Sequence, residues 1–236
     1  MRPFDVDKEY IEWSDAKEWE APYKMFFETT APAAPARRLL TDPDFLSNKE
    51  ALDMSWTEYK VLAGLPAMGM DVDLEKFFTA AELNSLWACE NLGHYLRRTA
   101  TTLSVEPADI AADLLQNLID TTDAAARGEN KASVELRFGH AETLMPLLSL
   151  MRIPGCYYLT NYFDTVALHW RDFDVVPMAA NLQIILFKSA KGRMYVRFDL
   201  NEIPVAINPN TPDTTIIPWN EARTYLTRCL PLHMQI

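Results

Sequence analysis

Cysteine, glycine and histidine are scarce in this chain of 236 residues, and each scarcity excludes a class of site. The three cysteines, Cys89, Cys156 and Cys229, are odd in number and far apart, so they match no zinc-ligand pattern and could form at most one disulfide. They therefore do not indicate the redox compartment. The seven glycines form no glycine-rich phosphate loop. No bound metal or cofactor is expected.

Long apolar runs and an excess of positive charge are also missing. No apolar run approaches the roughly 20 residues that span a bilayer, and no apolar leader follows Met1. The formal net charge is −11, so nucleic acid and anionic membrane surfaces are poor partners. The same charge disfavours a polyphosphate ligand unless a local basic patch binds it. What the chain does have is ample core material, because 49% of its residues are hydrophobic.

The most informative stretch lies in the middle of the chain, where a strand pattern changes to a helix pattern. Val134, Leu136 and Phe138 alternate with charged residues and reach Gly139, which predicts a strand ending there. Beyond it, apolar residues recur at helical spacing, and the predicted helix holds Pro146 in its first turn. The recurring residues are Leu144, Leu147, Leu148 and Met151.

Three residues, His140, Ala141 and Glu142, occupy the predicted joint between this strand and this helix. In an open α/β sheet, ligands bind beyond the carboxyl ends of the strands, under the free N–H groups of a helix N-terminus. A helix start favours anions, and a neighbouring histidine can donate a hydrogen bond to them. The pattern therefore indicates a site for a phosphate ester. The simpler interpretation of an isolated His-x-Glu here is a helix cap with no chemistry.

The run Phe-Gly-His-Ala-Glu-Thr-Leu-Met-Pro-Leu-Leu-Ser-Leu-Met, residues 138–151, resembles the second catalytic motif of the histidine acid phosphatases. Most of that superfamily has His-Asp at this point, whereas the multiple inositol polyphosphate phosphatase (phytase-like) branch has His-Ala-Glu, as here. The resemblance implies that His140 contacts the scissile phosphate and that Glu142 protonates the leaving alkoxide as general acid. It also implies an inositol polyphosphate, or another phosphomonoester, as substrate. Family members are commonly secreted, periplasmic or lumenal, while this chain itself indicates no location.

The nucleophile that this chemistry needs is not found in the chain. By resemblance it is the histidine of an Arg-His-Gly-x-Arg-x-Pro motif, and none of the four histidines lies between Arg and Gly. His94 follows Gly93, but its surroundings are typical of a helix face. A general acid without a nucleophile cannot perform the covalent step, so we expect the chain to be inactive alone. Met1 is then expected to be an internal methionine of a longer parent, through a split or truncated gene or a shortened polypeptide.

The remaining patterns predict an α/β protein, the C-terminal part of a histidine-phosphatase-like α/β sheet domain preceded by a mostly α-helical cap domain. Residues 1–130 are expected to form the helical part, which resembles the domain inserted in these phosphatases. Residues 131–236 are expected to form the C-terminal half of the phosphatase domain. Residues 31–38 are predicted as a linker, 39–53 as a loop and a helix with a turn or cap signal at Ser47-Asn48, and 55–65 as a further helix capped by Ser55. Residues 79–101, 107–127 and 219–230 are predicted as helices, 182–187 as a buried strand and 194–200 as the second arm of a hairpin.

Basic residues near the ends of predicted helices are the candidates for binding further phosphate groups. Arg97 and Arg98 close one helix, and the corresponding family segment ends in a similar basic pair, which implies a place on the substrate-binding wall. The alternative is that these cations only complement the helix dipole. Lys131 is a further candidate substrate-binding residue. No metal ligand is predicted.

Three functions stay open on the sequence alone. The chain could be the acid-donor half of an inositol polyphosphate phosphatase, whose partner is the missing N-terminal half. It could be a non-catalytic protein that binds a phosphate ligand in the His140 pocket and associates with itself. It could also be a degenerate fragment, in which an unfilled sheet edge and an uncovered apolar face invite association.

Overall fold

The computed structural model describes residues 7–130, 132–207 and 214–235. It confirms the predicted α/β class, since helices accompany a four-stranded sheet. The helices are α1 (Lys8–Ala16), α2 (Glu20–Thr30), α3 (Ala34–Arg38), α4 (Asn48–Gly64), α5 (Ala80–Arg98), α6 (Glu106–Asp109), α7 (Ala112–Arg127), α8 (Ala141–Leu150), α9 (Val166–His169), α10 (Asp172–Val175) and α11 (Trp219–Cys229). The strands are β1 (Leu182–Lys188), β2 (Met194–Leu200), β3 (Ile203–Val205) and β4 (Ile216–Pro218). None of the described helices is long and apolar enough to cross a membrane.

The chain forms two compact units whose boundaries interleave along the sequence. The first takes in the described parts of Met1–Glu18, Tyr95–Asn161 and Leu168–Ile236, and it contains the sheet, α7, α8 and α11. The second consists of Trp19–His94 and Tyr162–Ala167, and it contains α2, α3 and α4. The predicted boundary at residue 130 separates a cap-like domain from the phosphatase domain of the family, and it stays a prediction.

The second unit packs around a small cluster of buried apolar residues and is fastened by an ion pair. Arg38 of α3 donates a hydrogen bond of 2.7 Å to each oxygen of the Glu82 carboxylate in α5. Hydrogen bonding to Arg38 lowers the pKa of Glu82 to about 2. The cluster consists of Ala31, Leu52, Phe78, Leu86 and Cys89.

Two predictions within the second unit are wrong. Residues 31–38 are no linker, since they include α3, which carries a proline in its first turn, where the missing N–H costs nothing. The two helices predicted within residues 39–53 and over residues 55–65 are one continuous helix, α4, which begins after the N-cap residue Ser47, whose hydroxyl forms a capping box with Glu50. Ser55 is buried inside this helix, and its hydroxyl accepts a hydrogen bond of 3.1 Å from the backbone N–H of Ala36.

In the first unit, helices α7, α8 and α11 share one core, and Asp123 of α7 connects two of them. The Asp123 carboxylate accepts a hydrogen bond of 2.6 Å from the indole N–H of Trp219 in α11. Its other oxygen lies 2.7 Å from the guanidinium of Arg223, also in α11. Buried apolar side chains from α7, α8, α11 and β2 fill the space between them; they are Leu115, Ile119, Leu147, Leu148, Val196, Phe198, Ala222 and Leu226.

The sheet is antiparallel, and β2 is its central strand. β1 pairs with β2 from Leu182↔Leu200 to Lys188↔Met194, which confirms the predicted hairpin. On its other side β2 pairs with β3 and β4. β1 has one neighbour among the described strands, and its side chains are half-buried or exposed rather than buried. The prediction of a buried strand over residues 182–187 is therefore right about the strand and wrong about its burial.

The predicted strand over residues 134–139 is wrong. These residues have no regular secondary structure, and in the described parts of the chain their backbone groups form no hydrogen bond with another backbone group. The alternation of apolar and charged residues is the pattern of a strand, but a strand also needs a neighbour with which to share hydrogen bonds. That neighbour is a tertiary feature, which the local pattern cannot show.

Candidate functional site

His140 and Glu142 lie at the start of α8, where the sequence predicts a helix start. His140 is the N-cap residue with an extended backbone (φ −116°, ψ 169°), and its carbonyl accepts hydrogen bonds from the N–H groups of Thr143 (2.9 Å) and Leu144 (3.2 Å). Its imidazole makes no capping hydrogen bond, so a purely structural cap does not account for the histidine side chain. Glu142 lies in the first turn, where the helix dipole favours a negative charge.

The side chains of His140 and Glu142 face solvent, whereas the following part of α8 is buried. Both residues are exposed, but residues 145–150 are all buried in the core of the first unit. Neither side chain forms a hydrogen bond or an ion pair with another described residue. The buried part of the helix thus holds the first turn in place, and the two polar side chains are available to a ligand.

Backbone groups of the first turn add to this site. The N–H groups of Ala141 and Glu142 belong to the part of a helix whose donors have no intrahelical acceptors, and phosphate oxygens bind such donors. Pro146 is the sixth residue of α8, in the second turn and not in the first as predicted. Because proline has no N–H, the carbonyl of Glu142 lacks its usual donor four residues later. Donors and an acceptor therefore lie together beside the two side chains.

Arg137 positions the segment that leads into the site, a role that the sequence analysis missed. Its guanidinium donates to the side-chain oxygen of Asn117 (2.9 and 3.2 Å) and to the hydroxyl of Thr121 (2.9 Å). Asn117 and Thr121 are four residues apart on α7 and so share one helix face. A sequence signal existed in that spacing, but only the tertiary structure shows which cation the pair binds.

The predicted basic residues are not joined to His140 or Glu142. Arg98 ends α5 and donates to the hydroxyl of Tyr10 (3.2 Å), and no hydrogen bond or ion pair links Arg97 or Arg98 to the two site residues within the described ranges. The backbone N–H of Ala100, just beyond α5, donates to Ser149 at the opposite end of α8 from His140 (2.9 Å). Lys131 lies outside the described residues.

The buried thiols do not supply a nucleophile. Burial raises the pKa of Cys89 and of Cys156 to about 12, and it also raises the pKa of Cys229. All three thiols are free and buried. Among the residues that the structure describes, no group of three or more His, Cys, Asp or Glu side chains is placed to hold a metal ion.

A comparison with known protein families gives the same family as the motif at the start of α8. The chain belongs to the histidine phosphatase superfamily (branch 2), because the model of that family matches residues 5–201.

Two relatives identify the branch more closely. Multiple inositol polyphosphate phosphatase 1 of Homo sapiens is 36% identical over 112 residues, which are 42% of this chain and 23% of that protein. Multiple inositol polyphosphate phosphatase 1 of Gallus gallus is 30% identical over 121 residues, which are 48% of this chain and 27% of that protein. These matches confirm the superfamily and the branch predicted from residues 138–151. They also show that the aligned part spans about a quarter of each relative.

Proposed function

We propose that this chain provides the acid-donor part of a phosphomonoester hydrolase that acts on inositol polyphosphates. The observation that carries the proposal is the His-Ala-Glu motif at the start of α8, where both polar side chains are exposed and unengaged. In this proposal His140 donates a hydrogen bond to the scissile phosphate, and the first-turn amides bind its oxygens. The complete enzyme is of the phytase type.

The proposed reaction has two steps that use the same carboxyl group. A nucleophilic histidine attacks phosphorus while protonated Glu142 gives its proton to the departing inositol oxygen. Water then attacks the phosphohistidine, and the Glu142 carboxylate removes a proton from that water. The nucleophile must come from outside this chain, since none of its histidines lies in an Arg-His-Gly motif. We therefore propose that the chain is inactive until a polypeptide carrying that motif is added.

Substrate binding needs cations, because a net charge of −11 repels a polyphosphate. Arg97, Arg98 and Lys131 remain the proposed ligands for phosphate groups distant from the reacting one. Two of them close α5, where their charge also complements the helix dipole, so their effect on binding has to be separated from an effect on folding.

The test measures phosphate release from inositol hexakisphosphate at mildly acidic pH. The chain is assayed alone, and again after mixing with a polypeptide that carries the family's Arg-His-Gly motif. We expect activity only in the mixture. Activity of the chain alone would contradict the claim that its nucleophile comes from elsewhere. The second candidate function is a non-catalytic phosphate-binding protein, and the lack of an Arg-His-Gly motif in this sequence favours it. Phosphate binding without turnover in a folded mixture would support that candidate.

The role of Glu142 is tested with Glu142→Gln in the active mixture. General acid catalysis contributes about 10²–10⁴ in rate, so turnover of the inositol phosphate should fall by that factor. An aryl phosphate, whose phenolate leaves without a proton, should lose much less. Asp113→Asn is a matched control, because Asp113 is also an exposed acid at the second position of a helix. Equal losses on both substrates, or none, would refute the assignment.

A further inference from the structure

Two side chains of α7, Asn117 and Thr121, are here called the acceptor pair, and together they hold the guanidinium of Arg137. The side-chain oxygen of Asn117 accepts hydrogen bonds from Nε (3.2 Å) and Nη2 (2.9 Å) of Arg137. The hydroxyl of Thr121 accepts one from Nη2 (2.9 Å) and gives its own proton to the backbone carbonyl of Asn117 (2.7 Å). Because a hydroxyl has one proton, its lone pairs are then left to accept from Arg137. The helix itself thus orients the acceptor pair toward a donor.

The acceptor pair stands on a helix that other contacts keep in place. Leu115 and Ile119 of α7 are buried in the core of the first unit. Asp123 of the same helix accepts a hydrogen bond from the indole of Trp219 in α11. Since none of these contacts involves Arg137, a change in the acceptor pair should alter what Arg137 binds and leave α7 where it is.

Arg137 links α7 to the residues that lead into the site. Residues 134–139 have no regular secondary structure, and within the described ranges their backbone groups bond to no other backbone group. In the part of the chain that the structure describes, the hydrogen bonds from these residues to α7 all come from Arg137. Arg137 and His140 are three positions apart, so their Cα atoms are at most about 11 Å apart. Fixing Arg137 therefore restricts where His140 can lie.

His140 is held from its other side by α8. Its carbonyl accepts hydrogen bonds from the N–H groups of Thr143 and Leu144, and residues 145–150 of that helix are buried. The rotamers open to a side chain depend on its φ and ψ, which the peptide groups on both sides set. Helix α8 fixes the peptide group after His140, and Arg137 restricts the chain before it. Both supports are needed to give the imidazole one direction.

We propose that Asn117 and Thr121 are positioning residues of the phosphate site, which hold Arg137 so that the imidazole of His140 stays directed at the bound phosphate. The inference rests on the proposed function, in which His140 contacts the scissile phosphate. Groups that never touch a substrate can act in this way, because a displacement of about 1 Å at a reacting group can cost about 100-fold in rate. A site residue needs such support from the residues around it.

The first experiment follows the imidazole signals of His140 by NMR while inorganic phosphate is added to the chain alone, so no nucleophile is required. His140→Gln identifies the signals. We expect Thr121→Val and Asn117→Leu to raise the phosphate concentration at half-shift roughly 2- to 10-fold, the effect of losing about one hydrogen bond. Thr121→Ser keeps the hydroxyl and should restore the native value.

Thr224→Val is the matched control for Thr121→Val. The Thr224 hydroxyl in α11 also donates to the carbonyl four residues earlier, that of Asn220 (2.8 Å), but among the described residues it bonds to no arginine. Phosphate binding by this variant should be native. Far-UV circular dichroism and thermal unfolding check that all variants are folded at the temperature of the titration.

The second experiment measures turnover in the mixture with the polypeptide that carries the Arg-His-Gly motif. Thr121→Val should lower kcat/KM equally for inositol hexakisphosphate and for an aryl phosphate, because His140 contacts the phosphate that both share. In the background of Arg137→Met, Thr121→Val should have no further effect, since the acceptor pair then has no guanidinium to hold. Additive losses would mean that Thr121 acts by another route and would overturn the inference.

Other results would also overturn it. These are native phosphate binding in both Thr121→Val and Asn117→Leu, a loss that Thr224→Val shares, and a loss of turnover confined to the inositol phosphate, which would assign the effect to Glu142. A native His140 signal that phosphate does not shift would overturn it as well. An inactive native mixture would instead contradict the proposed function, and the titration of the chain alone would still decide whether the acceptor pair positions His140.

Discussion

Asp109, at the end of α6, has a pKa above the usual range of an aspartate. Burial and the nearby Glu106 raise its pKa to about 6, although His233 and Arg152 act in the opposite direction. At neutral pH the folded chain therefore carries a partly buried carboxylate in unfavourable surroundings. No motif marks this residue, because burial, the main cause of the shift, depends on tertiary packing.

The raised pKa predicts how Asp109 affects stability. Since the folded state binds the proton more tightly than the unfolded state, the contribution of Asp109 to the free energy of unfolding increases as pH falls from about 6 toward 4. Asp109→Asn should therefore raise the midpoint of thermal unfolding at pH 7.5 and change it little at pH 4.5. Calorimetry at both pH values checks this. Asp113→Asn, which alters an exposed acid, is the control for the loss of one negative charge, and a destabilised Asp109→Asn at pH 7.5 would contradict the explanation.

The candidate site residues could be proposed from the sequence, whereas the contacts beside them could not. His140 and Glu142 lie within a long motif, so the local pattern was sufficient to propose them. Arg137 reaches across 16 and 20 positions to Thr121 and Asn117, and its contacts depend on how α7 lies beside the segment. Contacts of that sequence separation leave no local pattern.

Among the secondary-structure elements, α7 and α11 are joined by one carboxylate in addition to their shared apolar core. Asp123 bonds to Trp219 and to Arg223 and is itself mostly buried, with a side-chain exposure of 16%. Hydrogen bonds to charged groups contribute about 1.5–3 kcal/mol each, so Asp123→Ala should lower the free energy of unfolding by about 2 kcal/mol or more. Chemical denaturation measures the change. Asp120→Ala, on the exposed side of the same helix, should cost well under half as much, and equal costs would contradict this role for Asp123.

Elements with strong local signals were predicted well, and elements that depend on neighbours were not. Gly128 ends α7 in the left-handed conformation (φ 76°), as its position after the helical pattern predicts. The hairpin of β1 and β2 is confirmed for the same reason, since its turn and alternation are local. The predicted helix over residues 107–127 is in fact divided into α6 and α7, and the predicted strand over residues 134–139 has no partner strand in the described chain. The second error concerns a tertiary constraint, because a strand needs a neighbour with which to share hydrogen bonds.

The family was predictable from one motif, whereas the interleaving of the two compact units has no local sequence signal. Residues 138–151 carry the resemblance that the family match confirms. Residues 162–167 belong to the same compact unit as residues 19–94. Such returns of the chain depend on packing between distant segments, which a reading in chain order does not detect.

The attachment of Arg137 to α7 has a consequence for ligand binding at the start of α8. Residues that are loose before a ligand binds must lose their conformational freedom on binding, and this weakens the affinity. Residues 134–138 lead directly into His140, and Arg137 fastens them to α7 in the folded chain. Part of that freedom is therefore lost when the chain folds, before any ligand arrives.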